Sequence, residues 1–195
     1  DDQPTDLSAR HLVEPLAAWV AAAQSDWTVE TYLAAQATKA RLARLLGRGE
    51  QPPALLFTAG HGLGFPPAHP RQRGQQGALL CQDWPGPGNW LGPVPQDFYL
   101  AGDDVAGSDR PAGLISFHFA CYGAGTPHLD DFAHRAFGRP AELAPQPFVA
   151  GLPRRLLGHP AGGALAALGH VDRAWGYSFR WPGAGSQIAA FQSTL

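Results

Sequence analysis

Near its middle the chain carries the run Leu114-Ile115-Ser116-Phe117-His118-Phe119-Ala120-Cys121-Tyr122-Gly123-Ala124-Gly125. Its apolar part is short, rich in aromatic residues and bounded by glycine, which favours a buried strand over a helix. The strand ends at a cysteine, and the glycines that follow let the backbone turn sharply or approach another group. In α/β sheets the chemistry lies at the carboxyl ends of the strands. The run therefore predicts a central strand of an α/β sheet with Cys121 at its end.

A second run of the same design lies upstream, Ala54-Leu55-Leu56-Phe57-Thr58-Ala59-Gly60-His61-Gly62, and it ends at a histidine between glycines. We expect the two runs to be neighbouring parallel strands. A thiol with an ordinary pKa of about 8.5 is mostly un-ionised near neutral pH, and a nearby imidazole is the usual means of activating it. The spacing of the two strand ends leaves room for a crossover, so the sequence predicts a Cys121 nucleophile with His61 as its base.

These two strand ends resemble the caspase-like superfamily of cysteine peptidases, in which a strand ending in His-Gly precedes one ending in Ala-Cys-x-Gly. The caspase signature Q-A-C-[RQG]-G is matched at Ala120, Cys121 and Gly123. Phe119 stands where the signature has Gln, and Tyr122 occupies the variable position, which argues against a true caspase.

The resemblance extends over most of residues 27–191 and is closest to bacterial members related to gingipains and CHAT proteins. Three runs carry it, namely 57–62, 119–125 and 169–179. It implies an α/β/α sandwich with a mostly parallel central sheet and a cysteine endopeptidase that works through a thioester acyl-enzyme. It also implies that backbone N–H groups near Gly62 and Cys121 form the oxyanion hole.

Hydrophobic spacing and turn residues predict the remaining elements, with about five main strands in the sheet. The predicted helices cover 11–24, 38–46, 129–137, 148–157 and 187–195. The other predicted strands cover 27–32, 78–81, 98–101, 163–169 and 178–181. Residues 62–113 hold a Gly- and Pro-rich insertion between the histidine and cysteine strands, and we expect it to overhang Cys121.

The sequence indicates the substrate-binding residues less clearly than the catalytic pair. Several members of the superfamily bind a basic P1 side chain through a carboxylate, so cleavage after a basic residue is one expectation. The acidic candidates are Asp83, Asp103, Asp104 and Asp172. We favour Asp172, which leaves the strand that follows the cysteine strand, and place Asp83 second. His170 and Trp84 lie beside these acids and complete the predicted substrate-binding residues.

Composition limits the class of partner. The 195 residues are long enough for one domain with one core, spanning 1–195. Fourteen basic against sixteen acidic side chains give a net charge of −2, which provides no basic field for nucleic acid or a membrane. The polar opening and the absence of a long apolar span predict a cytoplasmic protein. Because the chain has no Met, we expect it to be a fragment of a longer protein.

Two alternatives concern the thiols and the histidines. Cys81 and Cys121 do not form a disulfide framework, and we expect Cys81 to be a buried small hydrophobe. His118, His128 and His134 lack the spacing of a metal motif, so we predict no metal and no cofactor.

Instead of an enzyme, the chain could be a latent or non-catalytic caspase-like scaffold that needs a regulatory domain or partner. The enzyme is the favoured interpretation, with a protein or peptide as substrate.

Overall fold

The fold is built on a parallel sheet of three strands in a computed structural model that describes residues 2–132, 140–181 and 183–194. The strands are β1 (Leu55–Ala59), β4 (Ile115–Phe119) and β7 (Ala166–Gly169), in the order β1-β4-β7. An α/β fold is therefore confirmed. The prediction of about five main strands is wrong for the described residues, whose other ladders are separate pairs of two-residue strands.

The register of the sheet aligns the two runs singled out above. Leu55 pairs with Ile115 and Ala59 with Phe119 along the β1/β4 ladder, and on its other side β4 pairs in parallel with β7 from Ile115 and Ala166 onward. The expectation that the two runs are neighbouring parallel strands is confirmed. β4 is the central strand, as its apolar composition indicates.

A long helical segment opens the chain, beginning earlier than the predicted residue 11. α1 (Gln3–Ser8) leads through a π-helical turn (Ala9–Val13) into α2 (Glu14–Ala23). The early start has a local cause, because the Asp2 carboxylate accepts a hydrogen bond from the Thr5 N–H and caps the first turn. Pro4 lies in that turn, where its missing N–H costs no hydrogen bond.

Helices pack on both faces of the sheet because side chains alternate along each strand. Phe57, Phe117 and Phe119 point to one face and meet the π-helical turn, α2 and α6 (Ala189–Gln192) in a cluster that includes Leu12, Leu16 and Phe191. The opposite face carries Leu56 and Leu114 against α3 (Lys39–Leu45) and α5 (Gly151–Leu157). Each fully buried Leu or Phe stabilises the fold by about 2 kcal/mol.

The predicted strand at 27–32 is wrong. The segment is an irregular chain that leads into a 3₁₀ turn (Ala34–Gln36), and the described residues pair no strand with it. Its β-forming side chains make local contacts instead: the Tyr32 hydroxyl donates to Glu30, and the Arg41 guanidinium lies over the Tyr32 ring. The free edge of β1 borders a cavity there.

The insertion between the histidine and cysteine strands contains the predicted antiparallel pair, as β2 (Leu79–Leu80) and β3 (Tyr99–Leu100). A short helix, α4 (Gln72–Gln75), and 3₁₀ turns (Gln96–Phe98, Gly102–Asp104) complete its regular structure. Part of the insertion reaches the cysteine loop, since a side chain on Gly77 would overlap the Tyr122 carbonyl. The expected overhang of Cys121 stays a prediction.

Two predicted helices after the cysteine need correction. Phe148–Val149 is strand β6, which pairs with β5 (Gly125–Thr126), and only Gly151–Leu157 is helical. Leu129 forms a bridge to Glu142 instead of starting a helix, and residues 133–137 of that prediction lie outside the described residues.

The C-terminal elements are short. The predicted strand at 178–181 is β8 (Arg180–Trp181), paired with β9 (Gly185–Ser186) after a 3₁₀ turn (Gly176–Ser178). The predicted tail helix covers only Ala189–Gln192. In the part of the chain that the structure describes, every helix is too short or too polar to cross a lipid bilayer.

Candidate functional site

His61 and Cys121 are placed by the sheet itself. The last paired residues of β1 and β4 are Ala59 and Phe119, and the Gly60 N–H continues the ladder by donating to the Phe119 carbonyl at 3.1 Å. His61 and Cys121 each follow two residues after those last paired positions. The two residues therefore leave neighbouring strands at the same edge of the sheet, side by side.

The backbones of Gly62 and Cys121 are in direct contact. A Cβ atom on residue 62 would overlap the Cys121 carbonyl group, so glycine is required for this approach. Gly62 also forms an antiparallel bridge with Leu79, in which the residues on either side make the hydrogen bonds. The Leu80 N–H donates to the His61 carbonyl, and the Leu63 N–H donates to the Ala78 carbonyl. Within the described residues, the N–H groups of Gly62 and Cys121 donate to no acceptor. They are two donors available beside the thiol.

The thiol and the imidazole have other hydrogen-bond partners than each other. The Cys121 thiol donates to the Ala174 carbonyl, with Sγ and oxygen 3.8 Å apart. His61 Nε2 lies 2.6 Å from the Asp2 carboxylate. Both side chains are partly exposed, so a substrate group can reach them. In free enzymes catalytic hydrogen bonds are often loose and form only with substrate, so this arrangement is compatible with a dyad.

Asp2 is held as a carboxylate. Partial burial acts to raise its pKa, but hydrogen bonds from the Thr5 backbone and hydroxyl and from His61 outweigh this effect. The net result is an Asp2 pKa below its ordinary value. The sequence analysis did not find this residue, because nothing in the polar opening of the chain relates it to a histidine 59 residues away.

Asp172 lies beside Cys121 in a buried position. Its carbonyl accepts a hydrogen bond of 2.6 Å from the N–H of Tyr122, the residue after Cys121. The residue is 3% exposed, and both carboxylate oxygens are buried without a hydrogen-bond partner among the described residues. Burial raises the pKa of Asp172 above its ordinary value. The guanidinium of its neighbour Arg173 makes a two-bond pair with Asp130 at 2.6 and 3.0 Å, and its charge offsets only part of the effect of burial on the Asp172 pKa.

His170 lies behind the cysteine loop. Its ring packs edge-on against Phe119, with ring centroids 4.8 Å apart, and its carbonyl accepts the Ala124 N–H at 2.9 Å. Burial lowers the pKa of His170, and its Nε2 is buried without a partner among the described residues. The residue is therefore near the site, packed against the strand that bears the cysteine.

Asp83 and Trp84 lie near the middle of the insertion 62–113. The Asp83 carboxylate accepts the Lys39 N–H at 2.6 Å, at the start of α3. Trp84 follows in a turn in which its N–H donates to Cys81. No hydrogen bond or ring contact within the described residues joins either of them to His61 or Cys121.

An exposed aromatic pair involves the loop that leaves β7 and was missed from the sequence. The Phe132 and Trp175 rings lie with centroids 5.8 Å apart, and the residues are 53% and 44% exposed. Trp175 follows Ala174, whose carbonyl accepts the Cys121 thiol hydrogen bond. The available signal was the position of Trp175 in the loop that leaves β7, a strand next to the cysteine strand.

A cavity of about 640 Å³ runs along the free edge of β1 and reaches His61. Side chains of α2 and α3 and the segment 27–33 form its other walls, and most of them are apolar. Across the described ranges, no three His, Cys, Asp or Glu side chains lie close enough together to hold a metal ion.

Comparison with known proteins adds no relative: no family model matches the chain, and no curated protein or solved structure is similar to it.

Proposed function

We propose that the chain is a cysteine endopeptidase domain with a Cys121/His61 dyad and a caspase-like version of the α/β fold. One observation carries the proposal: parallel register aligns the ends of β1 and β4, so a thiol and an imidazole leave the same sheet edge side by side. The contact between Gly62 and the Cys121 backbone supports it, because it holds two unused N–H donors next to the thiol.

The reaction follows from the chemistry of these groups. His61 accepts the thiol proton, and the Cys121 sulfur attacks the peptide carbonyl carbon to form a C–S bond. The N–H groups of Gly62 and Cys121 stabilise the negative charge on the carbonyl oxygen. The C–N bond then breaks, and His61 returns the proton to the leaving amine. Water hydrolyses the remaining thioester and restores the thiol.

A basic P1 residue is the proposed specificity. The two oxygens of the buried Asp172 carboxylate have no hydrogen-bond partner among the described residues, and the Asp172 backbone bonds to the residue after Cys121. A guanidinium that approached it would form a charge-assisted pair and remove the cost of an isolated buried charge. Asp83 is a weaker candidate because the Lys39 N–H already occupies its carboxylate. His170 would support this pocket through its packing on Phe119.

The setting we propose is a reducing, cytoplasmic one, with a protein or peptide substrate. Cys81 and Cys121 are both free thiols, which fits such a compartment. A second candidate, a latent or non-catalytic module that needs a regulatory domain or partner, is favoured by one observation. The hydrogen bonds of the thiol and the imidazole go to Ala174 and Asp2 rather than to each other.

Covalent labelling tests the proposal. Peptidyl acyloxymethyl ketones that differ only in Arg, Asp or Leu at P1 are added to the parent and to Cys121→Ala, His61→Ala and Cys81→Ala, and adducts are counted by mass spectrometry. We expect one adduct, on Cys121, which should be absent in Cys121→Ala and present in Cys81→Ala. In His61→Ala it should form at least a hundredfold more slowly than in the parent. Equal labelling of the parent and His61→Ala would favour the non-catalytic module.

A further inference from the structure

The N-terminal helix delivers a carboxylate to His61. Asp2 precedes α1, and its Oδ2 lies 2.6 Å from His61 Nε2. Its other oxygen, Oδ1, accepts hydrogen bonds from the Thr5 backbone N–H at 3.0 Å and from the Thr5 hydroxyl at 2.7 Å. The carboxylate is thus fixed by the first turn of the helix on one side and by the imidazole on the other.

The chemistry of this contact determines which ring nitrogen carries the proton. An ionised carboxylate can only accept a hydrogen bond, so His61 Nε2 must be the donor. In the neutral ring the lone pair is then on Nδ1, the nitrogen that is free to accept the proton of a thiol. Because Asp2 also keeps its negative charge next to the ring, it favours the imidazolium that forms after proton transfer.

We propose that Asp2 is the positioning residue of the site, which fixes the tautomer and orientation of His61 so that Nδ1 serves Cys121. The inference rests on the proposed function, and it adds a third member, supplied by the N-terminal helical segment, to the predicted pair. In the step concerned, the S–H bond breaks, the proton moves to Nδ1, and the Nε2–H stays in place and donates to Asp2. Asp2 itself is not protonated.

The test needs a variant that separates the two roles of Asp2, which caps α1 and positions His61. Asp2→Ser keeps a good capping oxygen for the Thr5 N–H, but its side chain is too short to hold the imidazole. Asp6→Asn is the matched control, because it removes one negative charge from the same helix. Asp6 makes an exposed pair with Arg10 and has no contact with His61 among the described residues.

Two measurements test the inference on the full chain in a Cys81→Ala background, which leaves one thiol. The first is the second-order rate of Cys121 alkylation by iodoacetamide at pH 7, in which the S–C bond forms and iodide leaves. We expect Asp2→Ser to lower this rate tenfold or more and Asp6→Asn to leave it unchanged. The second is the ¹⁵N NMR shift of the two His61 ring nitrogens, which reports the tautomer. In the parent we expect the proton on Nε2, and in Asp2→Ser a mixture of tautomers.

The outcomes separate this inference from the proposed function. If His61→Ala slows alkylation while Asp2→Ser does not, the dyad stands and the role of Asp2 is wrong. If His61→Ala itself alkylates at the parent rate, the proposed function fails. The NMR measurement needs no variant, so it decides the question even if Asp2→Ser folds poorly: a parent His61 with its proton on Nδ1 overturns the inference.

Discussion

Gly62 and Cys121 touch backbone to backbone, and this contact leaves no space for a side chain at position 62. Gly62→Ala must therefore push the His61 strand end away from Cys121. We expect a loss of about 2 kcal/mol in the free energy of unfolding, as for other overpacked positions, together with loss of Cys121 labelling. Urea unfolding followed by circular dichroism measures the first effect.

Gly60, two residues before Gly62, gives a matched control for that variant. A Cβ atom on Gly60 would meet nothing within 4 Å, so Gly60→Ala should stay within about 0.5 kcal/mol of the parent. Equal unfolding midpoints for Gly62→Ala and Gly60→Ala would show that the close approach is absent in solution.

A pH effect on stability is expected from His118 in the middle of β4. Burial lowers the pKa of His118 from 6.5 to about 4; its Nδ1 lies 3.0 Å from the Thr58 hydroxyl, and its Nε2 is buried without a partner among the described residues. Between these two pH values the ring binds a proton in the unfolded chain but not in the folded chain. Stability should therefore fall as the pH drops from 6.5 to about 4, at up to about 1.4 kcal/mol per pH unit.

The check is urea unfolding at half-unit intervals across that range, with His118→Asn for comparison. The variant lacks the titrating ring, so its unfolding free energy should depend less on pH, by about 3 kcal/mol over the whole range. Parallel pH curves for parent and variant would mean that His118 is not buried in the neutral form.

We expect Asp172 to lower the stability of the folded chain near neutral pH. Because its folded pKa is raised, its charged form is disfavoured in the folded chain, and this penalty applies above the folded pKa and disappears as the pH falls below the ordinary value. Asp172→Asn should raise the free energy of unfolding at pH 7 by about 1 kcal/mol. The same variant should lower kcat/KM for an Arg P1 peptide about a hundredfold.

Asp97→Asn, an exposed site, removes the same charge and should change neither quantity. A panel of fluorogenic peptides varied at P1 and a thermal melt at pH 7 supply the two readouts. A preference for Asp or a large apolar residue at P1 that is unchanged in Asp172→Asn would contradict the proposed pocket.

The two thiols should differ sharply in reactivity. Burial, followed by the nearby Asp83 charge, raises the pKa of Cys81 to about 12, and the residue is 7% exposed. Cys121 is partly exposed at the sheet edge. Peptide mapping after brief treatment of the folded protein with iodoacetamide at pH 7.5 should find the label on Cys121 alone. Modification of Cys81 at a comparable rate would contradict its burial.

The features that were predicted best are those that depend on residues close together in the sequence. The apolar runs that end at His61 and Cys121 were recognised as parallel neighbours because their composition and glycine boundaries are specific to buried strands. The same method failed at residues 27–32, where Trp, Val and Tyr have high strand propensity but no described strand pairs with them. Propensity describes which conformation a segment favours and does not supply the neighbour that a strand needs.

Contacts between distant residues were beyond this method. Asp83 and Asp172 were both candidates from the sequence. Nothing in the sequence shows that the Asp83 carboxylate accepts the Lys39 N–H, or that the Asp172 carboxylate has no hydrogen-bond partner among the described residues. The bond from Asp2 to His61 was missed for the same reason. The docking of the helical segment on the Phe57 face of the sheet creates that bond, and only the folded chain shows it.

The loop at 84–95 is attached to the molecule through the short strands β2 and β3, and it projects from them, with Leu91 95% exposed. The alignment of His61 with Cys121 comes from the β1/β4 register, to which this loop contributes no residue. Doubling the length of such a loop costs only about 0.6 kcal/mol. Insertions and deletions are therefore expected to be tolerated here, and the tip of the loop is a suitable position for a fluorescent reporter or an affinity tag.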